Sequence, residues 1–337
     1  MSLVSVRLRA NKLAQLPSDI GALSSLCVLD VSGNQLTALP SQLAKCASLE
    51  RLIVDDNRLA SLAGVAGMPS LVFLSARSNG LETLANEVTG VKTLQTLILA
   101  DNELTALPGD VAKLTALSLL DVAHNRLTSL PAELASCAQL EVLLAGDNAI
   151  AELVVPPAAM RIDVGQCALT TLPESLAQAS ALTDLDVSAN AIGELGAAVL
   201  PSALRRLNLR SNKLAVLPDS ICELAALEEL DVACNEDLDA LPEMLGSIHT
   251  LARLDASLCA LSAGGVTNAD LLAGVRGKER ERQAAAEAAA AAEAEAEAAA
   301  AAAAAEAEAA AAAAAAAEAE AEAAEAEAEE TEEEATA

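Results

Sequence analysis

Residues 94–108 read Leu-Gln-Thr-Leu-Ile-Leu-Ala-Asp-Asn-Glu-Leu-Thr-Ala-Leu-Pro. Leu94, Leu97 and Leu99 place apolar side chains on one side of a short extended segment, and the residues between them point the other way, because side chains alternate along a strand. Asn102 then turns the chain. A buried asparagine carries two donors and a carbonyl acceptor, so it can satisfy backbone groups in its own turn and in the next coil. Leu104 and Leu107 follow on the inside. Pro108 ends the extended segment and opens Pro108-x-x-Val111-x-x-Leu114, a three-residue spacing that suits a short helix or 3₁₀ turn.

The same pattern returns every 22 to 24 residues along most of the chain: Asn11, Asn34, Asn57, Asn79, Asn102, Asn125 and Asn148, then Asn190, Asn212 and Asn235. Cys167 and Cys259 stand where two further asparagines are due; both are small and tolerate burial but donate weakly. Seven of the 11 prolines, Pro17, Pro40, Pro108, Pro131, Pro173, Pro218 and Pro242, sit at the same Leu-Pro junction. One such unit cannot bury its own leucines, whereas about twelve stacked units share one long core, which makes the expected fold an α/β solenoid with a parallel concave sheet.

With its 23-residue period and segments such as Gly33-Asn34-Gln35-Leu36-Thr37-Ala38-Leu39-Pro40 and Ser211-Asn212-Lys213-Leu214-Ala215-Val216-Leu217-Pro218, the chain resembles the intracellular Ras-group leucine-rich repeats. These occur in Ras suppressor protein, in Scribble-type scaffolds and in the stand-alone leucine-rich-repeat-containing proteins of types 40 and 57. The resemblance covers about 260 residues. It implies a leucine-rich repeat horseshoe acting as a cytoplasmic interaction module or signalling scaffold, in the setting of small-GTPase signalling, and it supplies no catalytic residues to carry over.

Three divisions follow: repeats over 1–261, a C-terminal cap and linker over 262–277, and an Ala/Glu-rich low-complexity tail over 278–337. In the cap, Asn268 is placed to N-cap a short helix whose Leu271, Leu272 and Val275 cover the last repeat. The formal charge of −29 is uneven, because residues 284–337 hold 16 glutamates and no lysine or arginine. Alanine and glutamate favour helix, yet the tail has no leucine, valine or methionine with which to build a coiled-coil seam. Such an acidic tail also suits a nuclear binder of basic proteins such as histones, which is the alternative function.

Composition argues against several classes. The net charge has the wrong sign for nucleic acid, and there is one aromatic residue, so stacking platforms are absent. The seven cysteines are odd in number, scattered and without a Cys-x-x-Cys pair, which points to a reducing compartment, cytoplasmic or nuclear, rather than to disulfide caps. With only His124 and His249, no metal or cofactor site is expected. No run is apolar enough for a confident membrane span, and the first nine residues already read as a strand rather than a signal peptide. Nothing resembles a nucleophile–base set or a phosphate loop, so the chain reads as non-enzymatic.

Function is then expected on the concave face, where the non-leucine side chains of each strand point outward. Repeats three to seven place Ile53, Phe73, Ile98, Leu119, Val142 and Leu144 there, flanked by Arg51 and Arg77. These eight residues are the candidate site for a protein partner, since a contiguous apolar patch usually marks an interface. The same residues are also ordinary β-formers on a partly shielded sheet. Repeats eight to twelve carry Asp163, Asp186, Asp231 and Asp255 beside Arg161, Arg206, Arg210 and Arg253, either a solvated salt-laced face or a recognition strip for a basic segment. Partner identity and oligomeric state do not follow from the sequence.

Overall fold

A computed structural model of the chain describes residues 3–84, 86–196 and 200–261, all within the compact unit Met1–Arg276. The expected cap helix and the Ala/Glu tail lie outside the described residues.

Twelve three-residue strands form one parallel sheet in sequence order. They are β1 (Ser5–Arg7), β2 (Val28–Asp30), β3 (Arg51–Ile53), β4 (Phe73–Ser75), β5 (Thr96–Ile98) and β6 (Leu119–Asp121). The second half comprises β7 (Val142–Leu144), β8 (Arg161–Asp163), β9 (Asp184–Asp186), β10 (Arg206–Asn208), β11 (Glu229–Asp231) and β12 (Arg253–Asp255). Each strand pairs with the next without slippage, so equivalent positions of successive repeats line up in columns. The central residue points inward and is buried from Leu29 in β2 to Leu230 in β11, while the first and third residues face out. That alternation is the period of a strand seen one repeat at a time.

Behind the sheet, each Leu-Pro junction starts a five-residue 3₁₀ turn, for example Gly109–Lys113 after Pro108 and Asp219–Glu223 after Pro218. Proline fixes φ in the extended region before the turn, and its missing N–H costs nothing at that position. One buried aliphatic residue per turn, such as Val111 or Ile221, fills the convex side of the core. Between β7 and β8 no helical element forms, as the Pro156-Pro157 pair in that shortened repeat leads one to expect.

The asparagine ladder closes the ascending side. Asn102 Nδ2 donates to the carbonyls of Leu99, Ala100 and, one coil back, Ala76, at 3.0, 3.1 and 3.0 Å, and its Oδ1 accepts the Leu81 N–H at 3.1 Å. Asn34, Asn57 and Asn125 repeat the arrangement. At the two cysteine positions less is kept: Cys167 Sγ reaches the Ala145 carbonyl at 3.5 Å and Cys259 Sγ the Val232 carbonyl at 3.2 Å. The residue before each ladder position adopts a left-handed backbone, from Ala10 (φ 53°) through Asp101 (56°) to Leu258 (57°), with Gly33 (67°) the one glycine among them. The coil thus turns at this point in every repeat, whatever residue stands there.

Candidate functional site

The structure places Arg51, Phe73, Leu119 and Val142 in the column of first strand residues, and Ile53, Ile98 and Leu144 in the column of third residues. All eight candidate residues lie on the concave side of β3–β7 or, for Arg77, two residues beyond β4. The apolar side chains are half-buried.

Their company departs from a simple patch in three ways. Phe73 is not bare: the Arg51 guanidinium lies over its ring, 4.1 Å from the centroid. A cation over an aromatic face is attracted by the ring quadrupole. Arg77 is engaged elsewhere, its Nε 2.6 Å from Asp101 Oδ2. The columns are also interrupted, by Thr96 between Phe73 and Leu119, by Ser75 between Ile53 and Ile98, and by Asp121 between Ile98 and Leu144. The apolar surface is therefore a staggered set of side chains with a carboxylate set into it. Burial pushes Asp121 above the usual carboxylate range, only partly offset by the Ala123 N–H and by Arg77.

Over β8–β12 the first column alternates in sign: Arg161, Asp184, Arg206, Glu229, Arg253. Arg206 pairs with Asp184, and Arg253 with Glu229 at 3.5 Å. Arg210 spans Asp231 at 3.7 Å and Asp255 at 3.4 Å. In the next column Asn208 Nδ2 donates to Asp186 at 2.7 Å. Apart from Arg210, these groups line an open depression of about 540 Å³. Burial raises Asp163 and Asp231, whereas the Ser257 hydroxyl and N–H lower Asp255, with help from Arg210. Most of this surface is internally matched charge, worth little in stability where exposed.

Among the described residues, no three His, Cys, Asp or Glu side chains converge to hold a metal ion, and no helix is long and apolar enough to cross a membrane. The thiols of Cys46, Cys137, Cys167, Cys222 and Cys259 are pushed up by burial, which disfavours the nucleophilic thiolate.

Family models for the leucine-rich repeat match residues 1–59, 92–150 and 203–224. The described repeats have the leucine-rich repeat fold. A comparison with curated protein sequences gives no match. Among solved structures, a leucine-rich repeat protein of Leptospira interrogans is 26% identical, with a TM-score of 0.70 over 80% of this chain and 75% of that one. The internalin InlF of Listeria monocytogenes superposes with a TM-score of 0.64 at 20% identity, covering 82% of this chain and 85% of that one, a likeness of fold. The plant peptide hormone receptor RGFR1, solved in complex with RGF2, is 26% identical with a TM-score of 0.64; the match covers 73% of this chain and 42% of the receptor. Leucine-rich repeats generally mediate protein–protein interaction, and this repeat domain carries one continuous twelve-stranded sheet.

Proposed function

We propose that this leucine-rich repeat protein is a non-enzymatic docking module of the Ras-group kind, an intracellular scaffold or adaptor that takes a protein partner on the concave face of β3–β7. The observation that carries this reading is the set of large aliphatic and aromatic side chains on the outer face there, where packing of the core does not require them: Phe73, Ile98, Leu119, Val142 and Leu144. Half-exposed apolar anchors grouped on one face are what interface cores use. A solved relative of the fold, the receptor RGFR1, is itself a complex with RGF2, which supports reading the repeats as a ligand platform. The cytoplasmic setting and the tie to small-GTPase signalling rest on the Ras-group resemblance of the Leu-Pro repeats. The 16 glutamates of residues 284–337 favour a second reading, a nuclear binder of basic proteins through the tail.

Affinity capture with the full chain tests both. Ile98→Asp with Leu144→Asp, checked for an unchanged circular dichroism spectrum, is expected to lose the wild-type partner set at any ionic strength. Retention of the same partners by the folded variant, combined with their release by salt, refutes concave docking and leaves the tail.

A further inference from the structure

Most acidic side chains on the concave face are already matched. Asp30 has Arg9, Asp184 has Arg206, Asp231 and Asp255 share Arg210, and Asp186 holds the Ser188 hydroxyl and the Asn208 amide. Asp55 accepts the Ser75 hydroxyl at 2.6 Å and the Arg77 N–H at 2.8 Å. Asp121 and Asp163 differ. Each accepts one backbone N–H from two residues on, Ala123 and Gly165, both at 3.1 Å. Among the described residues neither has a cation within 4.0 Å, and the second oxygen of each is left to solvent or to a ligand.

The register sets these two carboxylates on either side of one aliphatic side chain: Asp121 on β6 lies opposite Leu144 on β7, which lies opposite Asp163 on β8. Val142 and Leu119 stand beside them in the neighbouring column. Approach is open past the ends of the strands, where Gly146 and Gly165 carry no side chain. A Cβ on Gly146 would fall 3.1 Å from Asp163 Oδ1 and crowd that carboxylate.

We propose that the partner segment of this docking face is an amphipathic basic helix laid across the strands, with an aliphatic residue on Leu144 and a lysine or arginine on each of Asp121 and Asp163. This rests on the concave face being the docking surface and names the chemistry of what docks. Two strand spacings of about 4.8 Å separate the carboxylates by about 10 Å. Seven residues of helix rise about 10.5 Å, and positions i, i+3 or i+4, and i+7 share one face. An extended segment offers same-side residues about 6.7 or 13 Å apart and fits neither spacing. Setting an apolar helical stripe into a groove, with charge at its borders, is a recurring mode of recognition. Half-buried carboxylates in apolar surroundings gain most from an incoming cation, because burial has already removed part of their hydration.

The test is a displayed library of alanine-based helices of about 18 residues, long enough to hold helix once bound, randomised at i, i+3, i+4 and i+7 and selected against the full chain. Enrichment of Lys or Arg at i and i+7 with Leu, Ile or Met between them is expected. The selected helix should bind Asp121→Asn/Asp163→Asn about tenfold more weakly, with a flatter dependence on salt. Enrichment of acidic or wholly apolar helices, absence of enrichment, or unchanged binding to the double variant overturns the proposal. Apolar helices that bind the double variant normally but fail on Ile98→Asp would sink this inference while leaving concave docking intact. Helices indifferent to both variants would sink both.

Discussion

Replacing Asn102 by alanine isolates what the ladder contributes. The side chain is 8% exposed and makes four hydrogen bonds. Three of its partners do not become orphans. The Ala76 carbonyl keeps Asn79 Nδ2 at 3.1 Å, the Leu99 carbonyl keeps Asn125 Nδ2 at 3.0 Å, and the Ala100 carbonyl keeps the Ser78 N–H at 3.0 Å. The Leu81 N–H has only Asn102 Oδ1 and is left unsatisfied between two coils. An unsatisfied buried donor costs about 1–3 kcal/mol, and the lost second bonds to three carbonyls add a few tenths each. The expected cost of Asn102→Ala is therefore about 3 kcal/mol, read from the urea midpoint at constant m. The Leu81 amide should pass from protected to rapidly exchanging in hydrogen exchange, with amides several repeats away unaffected, because coils contact only their neighbours. Asn102→Cys should cost less than Asn102→Ala, since a thiol at this position regains one bond to a carbonyl, as at Cys167 and Cys259, and its sulfur offers the Leu81 N–H a weak acceptor. A loss under about 0.5 kcal/mol for Asn102→Ala, or a Leu81 amide that stays protected, would refute the ladder as the element that ties coil to coil.

Three further outcomes follow from the same geometry. Ala189→Gly and Leu258→Gly, both at left-handed positions (φ 51° and 57°), should each stabilise by about 0.5–1 kcal/mol in urea titration, the relief of backbone strain exceeding the added freedom of the unfolded chain. Gly64→Ala should destabilise by about 2 kcal/mol, because its Cβ would fall 2.5 Å from the Leu39 carbonyl oxygen in the preceding coil, where backbone has to move. The carboxylates give opposite pH signs. Asp163 is raised by burial, so its contribution is present in full below the ordinary carboxylate value and is lost as pH rises through its folded value; Asp163→Asn should stabilise at neutral pH and become neutral in acid. Asp255 is lowered by Ser257, so its contribution is present at neutral pH and is lost as pH falls through the folded value; Asp255→Asn should destabilise at neutral pH only. Thermal unfolding across the acid range distinguishes the two.

The inward half of this protein was legible from its sequence because burial leaves little choice. An aliphatic residue at each central strand position, mostly leucine, and an asparagine or cysteine at each ladder position answer to the core, so their spacing fixes register and repeat number. The left-handed residue before each ladder position was not legible. Glycine marks it only at Gly33, and Ala10, Gln166 or Leu258 give no hint that φ is positive, since the stacked coil and not the residue imposes the turn. On the concave face the columns could be written down, but the pairings within them could not, because partners there come from different repeats, 20 residues apart for Ser75 and Asp55 and 45 for Arg210 and Asp255, and compete.

The contest at β3–β4 shows why this matters for function. Arg51 lies between Val28 on β2 and Phe73 on β4 in its own column, with Asp30 diagonal to it on β2, and its guanidinium lies over the ring. Asp30 is 5% exposed and holds the Ser32 hydroxyl and N–H, with Arg9 at 3.5 Å, so it has no call on Arg51. The sequence order presents an arginine beside an aromatic anchor. The structure makes them one unit, with the guanidinium over the face of the ring. A partner that meets this end of the face meets the guanidinium plane before the ring. Either it supplies an acceptor for Arg51 and leaves the stack in place, or it displaces the arginine and gives up the cation–π attraction, about 0.5–1 kcal/mol at an exposed site. Keeping the stack is the cheaper course. On the proposed docking, the β3–β4 end would suit an acidic residue on the partner, just as the unmatched Asp121 and Asp163 would suit basic ones, and the two ends together would give the docked segment a direction.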